Sequence, residues 1–316
     1  MNKPLPKVVV VLGETATGKS DLAVKLARKF GGEIISADSR QIYRGLDIGS
    51  GKIKKNEMKG VRHYLLDIAD PRKKRYTAAD FASAAKSAAA TILSRGKLPI
   101  VCGGTGFYIE NFLRDGGLPD VPPNDKLRAK LKKLGAEVLF AKLRRLDPIR
   151  AKNIDPRNKV RVIRAIEIAT ALGYVPKQKT KINYRTLSIG LTLPPEKIRE
   201  KIHARLMKRM QGDALVKEVR RLHEEGVCYR RLYDFGLEYR YVALYIQKKL
   251  SREKMLSELE KEIYRYAKRQ MTWFKRDTRL DSRGRSVDAR RENVKWFSPK
   301  ENKRIEKLVK TFIDKK

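Results

Sequence analysis

From Val8 the chain alternates short apolar runs with segments of helical periodicity. VVVVL is followed by DLAVKLARKF, EIISA, YTAADFASAAKSAAATILSRG, KLPIVC and YIENFL. Continuous apolar runs of strand length suit strands buried on both faces, and apolar residues spaced three and four apart suit the helices that cover them. The order predicts an α/β fold, a parallel sheet clothed in helices. Thr77, with Asp80 three residues on, reads as the N-cap of the alanine-rich helix, and Gly96 as its stop.

Between residues 116 and 184 the pattern changes to helical periodicity broken by prolines and dense in basic residues, as in NDKLRAKLKKLGAEVLFAKLRRL. This predicts an all-helical insertion at 116–184 within a core formed by 1–115 and 185–280. TLSIGLTL (186–193) reads as a return to the sheet, and Pro195 suits the first turn of the next helix. The region to 280 is helical and basic, with Tyr229, Tyr233, Phe235, Tyr239, Tyr264, Tyr266, Trp273 and Phe274 expected to pack helices rather than stack bases. Residues 281–294 have almost no large apolar side chain and predict a mobile loop, leaving 295–316 as a C-terminal segment.

Charge narrows the partners. The 316 residues carry 74 Lys and Arg against 36 Asp and Glu, a net charge of +38. Such self-repulsion in a compact protein points to a polyanionic partner, the alternative being a generally basic proteome. Cys102 and Cys228 stand apart without CxxC or histidine company, which supports neither a disulfide framework nor a zinc site. No apolar run approaches the roughly 18 residues of a membrane span, and no signal core follows the N-terminus. A cytoplasmic monomer without membrane association is expected.

GETATGKS, Gly13 to Ser20, matches GxxxxGKS between an apolar strand and an amphipathic helix. In that context Gly13 and Gly18 allow a tight turn, and the amides of Glu14, Thr15, Ala16 and Thr17 with their neighbours converge on phosphate at a helix N-terminus. Lys19 adds a point charge, and the Ser20 hydroxyl is a ligand for Mg²⁺. A phosphate loop does not by itself name a reaction. The strand KLPIVC ends in glycines rather than in the acidic residue of a hydrolase. The acidic candidate is Asp38, ending EIISAD, which can accept a proton, cap a helix or bind Mg²⁺. GGTGFY (103–108) is a second glycine-rich strand-to-helix turn, in which Thr105 approaches a ligand or the glycines merely pack.

In this order, GETATGKS, ADSRQIYRGLDIGSGK (37–52), HYLLDIADP (63–71), GGTGFY, DPRNKVRVIRAIE (155–167) and YAKRQMTWFKRD (266–277) resemble the tRNA dimethylallyltransferase family over nearly the whole chain. The resemblance implies transfer of a dimethylallyl group from its diphosphate to N6 of the adenosine 3′ to the anticodon, with a helical insertion clamping the anticodon stem-loop. It implies Asp38 as the base on the amine, Ser39, Arg40 and Gln41 at the flipped base, and Thr105 in the reaction channel. Lys19, Thr15, Ser20 through Mg²⁺ and a family-type arginine at Arg220 would hold the diphosphate, and Arg128, Arg161 and Arg164 would contact tRNA. Glu14 stands where the family usually has proline, Thr17 where it has serine, and LTLPPEKIREK lacks the usual Asp-Arg pair. A carboxylate at position 14 repels diphosphate unless it turns away or meets a cation. A nucleotide kinase, a prenyltransferase of free AMP and an RNA-binding protein with an idle loop remain the rival readings.

Overall fold

The structure, a computed structural model, describes residues 4–73, 75–115, 119–176, 181–275 and 294–315. Contacts divide the chain into two compact units, Met1–Leu113 with Ile182–Lys316, and Arg114–Lys181. The expected loop at 281–294 falls outside the described residues except for Val294.

The first unit is built on six parallel strands: β1 (Lys7–Gly13), β2 (Gly32–Ser36), β3 (His63–Tyr64), β4 (Leu98–Gly103), β7 (Arg185–Leu191) and β8 (Val294–Phe297). Two-residue strands β5 (Arg114–Asp115) and β6 (Lys181–Ile182) bracket the insertion. The sheet order β3-β2-β4-β1-β7-β8 puts β1 in the interior. That place explains the valine run. Val8 to Val11 are fully buried, and α1 (Lys19–Phe30) and α14 (Asn302–Asp314) pack on the face carrying Val9 and Val11. A parallel strand inside a covered sheet needs apolar residues on both faces. The strand β8 was not announced by the sequence pattern. It lies beside β7 with Trp296 over Gly190, where a Cβ would come within 2.5 Å of the indole.

Parallel pairing brings the strands' carboxyl ends to one edge. Leu12 pairs with Gly103, Gly13 with Leu191, and Ser36 with Cys102. This is the edge at which open α/β sheets bind ligands. Two glycines make the approach possible: a Cβ at Gly13 would lie 2.3 Å from the Leu191 carbonyl oxygen, and one at Gly103 2.1 Å from that of Ala37.

The connections are helical. After α2 (Lys55–Met58), α3 (Ala78–Ser94) starts with the expected capping box: Thr77 accepts the Asp80 N–H at 3.2 Å, and the Asp80 carboxylate accepts the Thr77 N–H at 2.8 Å. Beyond α4 (Gly106–Leu113) comes the second unit, in which α5 (Asp125–Lys132), α6 (Ala136–Leu146), α7 (Pro148–Lys152) and α8 (Lys159–Leu172) enclose Leu131, Leu139, Leu143, Val162 and Ile166. The first unit resumes with α9 (Pro195–Met210), α10 (Ala214–Glu224), α11 (Tyr229–Phe235), α12 (Leu237–Ile246) and α13 (Arg252–Phe274). Phe235, Tyr239 and Phe274 are buried there, as expected of core aromatics. Tyr229, Tyr233, Tyr264, Tyr266 and Trp273 are half-buried. Among the described residues no helix is long and apolar enough to cross a membrane.

Candidate active site

The phosphate loop leaves β1 and enters α1 through Gly18, whose φ of +85° caps the helix without a side chain. Amide donors at such a terminus attract anions because the helix supplies no carbonyl to pair them. Inside the loop, the Thr17 hydroxyl donates to the Glu14 carbonyl at 2.9 Å, and the Lys19 ammonium donates to the same oxygen. Burial pushes the Lys19 ammonium down to about 8, helped by Arg205 and opposed by Cys102, Asp38 and Glu14. Ser20 is exposed on the first turn of α1.

Glu14 does not face the phosphate position as a bare charge. It is 6% exposed, hydrogen-bonded by the Leu193 amide just past β7, with Lys19 and Lys275 as neighbouring cations. Burial raises its carboxyl above the ordinary glutamate range against the pull of those three groups. The residue turns inward and meets cations, which removes the repulsion expected of it.

Asp38 follows β2. Its Oδ1 accepts the amides of Arg40 at 2.8 Å and Gln41 at 3.3 Å, closing a tight turn. The Ser39 amide donates to the Thr105 hydroxyl at 3.2 Å, and the Thr105 amide donates to the Ala37 carbonyl at 3.2 Å. The turns after β2 and β4 are thereby locked together, and Asp38 lies close enough to Lys19 to act on its charge. Arg40 is tied down, its Nε donating to the Phe235 carbonyl at 2.8 Å and its guanidinium lying over the Tyr266 ring. The Gln41 side chain is held by the carbonyls of Ser50 and Gly51.

Three groups that sequence reasoning missed complete the site. Gln270 on α13 is buried; its Oε1 accepts the Thr15 amide at 2.8 Å and its Nε2 donates to the Gly104 carbonyl at 2.9 Å, joining the phosphate loop to the GGTG turn. Its only signal in the sequence was membership of YAKRQMTWFKRD. Arg205 on α9 is the guanidinium that acts on Lys19. A Cβ at Gly51 would meet Nη2 of both Arg209 and Arg205, at 2.3 and 2.9 Å, so the two guanidiniums adjoin. Arg209 is compensated by Glu238 at 2.6 Å, whereas Arg205 has no ion pair among the described residues. Arg220, the arginine expected here, is exposed on α10 and is not among the cations acting on Lys19 or Glu14. The third is Glu218, buried on α10.

In the second unit the expected tRNA-contacting arginines separate. Arg128 grips Glu167 through two bonds of 2.8 Å, and Arg164 reaches the same carboxylate at 3.4 Å and the Val121 carbonyl at 2.7 Å. Glu167 is 2% exposed, so Arg128 braces α5 against α8, and Arg164, on α8 with Glu167, ties that helix to the segment at Val121 ahead of α5. Arg161 is exposed beside Val160, which is 79% exposed.

The arrangement offers an anion nest, cations, a carboxylate and a hydroxyl along one sheet edge. Comparison with known proteins gives the family. A family model described as IPP transferase matches residues 41–277. The tRNA dimethylallyltransferase of Anoxybacillus flavithermus is 39% identical over 274 residues, covering 85% of this chain and 87% of its own. The tRNA dimethylallyltransferase 2 of Treponema denticola is 43% identical, covering 85% and 91%. Among solved structures, the full-length tRNA isopentenylpyrophosphate transferase of Bacillus halodurans superimposes with a TM-score of 0.70 at 32% identity, covering 98% of this chain and 97% of that one. A eukaryotic dimethylallyltransferase acting on tRNA gives a TM-score of 0.81 at 25% identity, covering 98% and 79%. With a match across three quarters of its length and relatives near 40% identity, the chain belongs to the IPP transferase family.

Proposed function

We propose that the protein transfers a dimethylallyl group from dimethylallyl diphosphate to N6 of the adenosine 3′ to the anticodon of a tRNA. The observation that carries this reading is the meeting of the phosphate loop with the Asp38–Thr105 turn at the carboxyl edge of the sheet, joined by Gln270. The amine nitrogen forms a bond to the first allylic carbon as the carbon–oxygen bond to diphosphate breaks, and Asp38 takes the amine proton. Negative charge grows on the departing diphosphate. Loop amides, Lys19 and Arg205 stabilise it there, a preorganised electrostatic effect that strengthens as water is excluded. Thr105 holds the base-side turn through Ser39.

Mg²⁺ fits this donor set as a companion of the substrate. The Ser20 hydroxyl is exposed at the loop, and no cluster of three acidic, histidine or cysteine side chains exists among the described residues to form a protein cage. Mg²⁺ commonly takes one or two protein oxygens and completes its shell with phosphates and water. Bound so, it would neutralise charge on the leaving diphosphate. The surplus of +38 supports the anticodon stem-loop as partner, with Arg161 as a contact from the insertion.

The test is incubation with unmodified tRNA and radiolabelled dimethylallyl diphosphate. Label should appear on adenosine of tRNA. Equal labelling of free AMP would replace this reading with a nucleotide prenyltransferase, and phosphoryl transfer from ATP would replace it with a kinase.

A further inference from the structure

Beside the base-side turn, the segment Asp47–Gly51 is held by a carboxylate for which the reaction above has no use. Glu218 on α10 is 5% exposed. Its Oε2 accepts the amides of Asp47 at 3.0 Å and Ile48 at 2.6 Å. Its Oε1 accepts the Gly49 amide at 2.9 Å and the Tyr239 hydroxyl at 3.1 Å. Tyr239, fully buried on α12, in turn accepts the Ser50 amide at 3.0 Å. Four consecutive amides therefore end on two side chains. Contact is so close that a Cβ at Gly49 would lie 2.7 Å from the tyrosine ring. Bonds from N–H groups to an ionised carboxylate are about twice as strong as neutral ones, and inside a protein a complete set rigidifies its backbone.

What this rigid segment carries is the Gln41 side chain. Nε2 of Gln41 donates to the carbonyls of Ser50 at 3.5 Å and Gly51 at 3.3 Å, while the Ser36 hydroxyl donates to Oε1 at 3.4 Å. The Gln41 amide of the main chain donates to Asp38. With Nε2 turned to the two loop carbonyls, what the side chain keeps to offer is an acceptor, the second lone pair of Oε1. An acceptor there suits an exocyclic amine and opposes a carbonyl oxygen at the same position of a purine.

We propose that Glu218 and Tyr239 are positioning residues for base recognition: they pin Asp47–Gly51 so that Gln41 presents its carbonyl oxygen to the amine of the target nucleotide. The inference rests on reading Asp38–Gln41 as the base side of a tRNA prenyltransferase. A double-mutant cycle tests it, using steady-state prenyl transfer by the full chain for wild type, Gln41→Ala, Glu218→Gln and the double variant. Each single variant should lower kcat/KM for tRNA roughly tenfold, leave KM for dimethylallyl diphosphate within about twofold, and the double should be no worse than Gln41→Ala, because residues acting through one another are not additive. A fully additive loss, or a Glu218→Gln enzyme indistinguishable from wild type, overturns the proposal. Tyr239→Phe carries the same cycle where Glu218→Gln fails to fold. Absence of transfer by wild type, or a Gln41→Ala enzyme at wild-type rate, removes the underlying reading before Glu218 is touched and is seen separately from failure of the cycle.

Discussion

Replacing Asp38 by asparagine separates its two duties. Its Oδ1 holds the turn by accepting the Arg40 and Gln41 amides at 2.8 and 3.3 Å, and an asparagine carbonyl oxygen keeps both bonds. The asparagine nitrogen then occupies the place of the proton-accepting oxygen. It is a donor facing a donor and cannot receive the amine proton. Losing a positioned general base lowers kcat by about 10²- to 10⁴-fold, which is about 3 to 5 kcal/mol of barrier. The turn loses only charge assistance, about 1 kcal/mol. Asp38→Ala should lose the base equally and additionally leave two amides without an acceptor. Single-turnover transfer from labelled dimethylallyl diphosphate measures the chemistry, filter binding the tRNA affinity, and thermal melting the turn. The expected result is a turnover loss shared by both variants, near-normal tRNA affinity for both, and a larger fall in Tm for alanine. Turnover of Asp38→Asn within about threefold of wild type would refute the base assignment, since general-base contributions lie far above that.

Lys19, held at about 8 by burial, loses its proton as pH rises through that value, so kcat/KM for dimethylallyl diphosphate should fall above pH 8 with a slope approaching one decade per unit; a profile flat well above pH 8 contradicts the ammonium's role. Arg205→Ala should raise KM for dimethylallyl diphosphate at least about tenfold, as for removal of one charge-assisted bond, whereas Arg220→Ala leaves it within about twofold; the reverse order would restore Arg220 to the site. Glu167→Ala strips Arg128 and Arg164 of their shared partner. Because each arginine side chain is about a third exposed, the cost lies near the low end for breaking a buried pair, about 3 kcal/mol. tRNA affinity should fall with dimethylallyl diphosphate binding kept, as measured by equilibrium binding of each, and unchanged tRNA affinity would contradict the bracing role.

The features legible along the chain were local. GETATGKS between a valine run and an amphipathic helix, the Thr77–Asp80 capping box and the strand-end position of Asp38 all depend on neighbours within a few residues. The parallel sheet followed from runs whose residues must be buried on both faces. The strand Val294–Phe297 escaped notice because four residues of mixed burial have too little periodicity to register.

Spacing said nothing about Gln270, which lies 255 positions from the Thr15 amide it accepts, nor about Glu218, about 170 positions from the amides it gathers. Arg128 and Arg164 were expected at tRNA, because basic residues at helical spacing appear the same in sequence whether they meet a polyanion or a buried Glu167. Even Arg220 was a choice among many cations, and the sequence could not show that the Arg205 guanidinium is one whose charge is felt at Lys19. The order of residues thus specified which chemistry the loop and turns bring to the sheet edge, since short-range geometry is encoded by short-range sequence. Which distant side chains hold those turns in register, turn Glu14 inward and bring Arg205 to Lys19 was decided by packing, because hydrogen bonds and charge pairs depend on distance in space rather than along the chain.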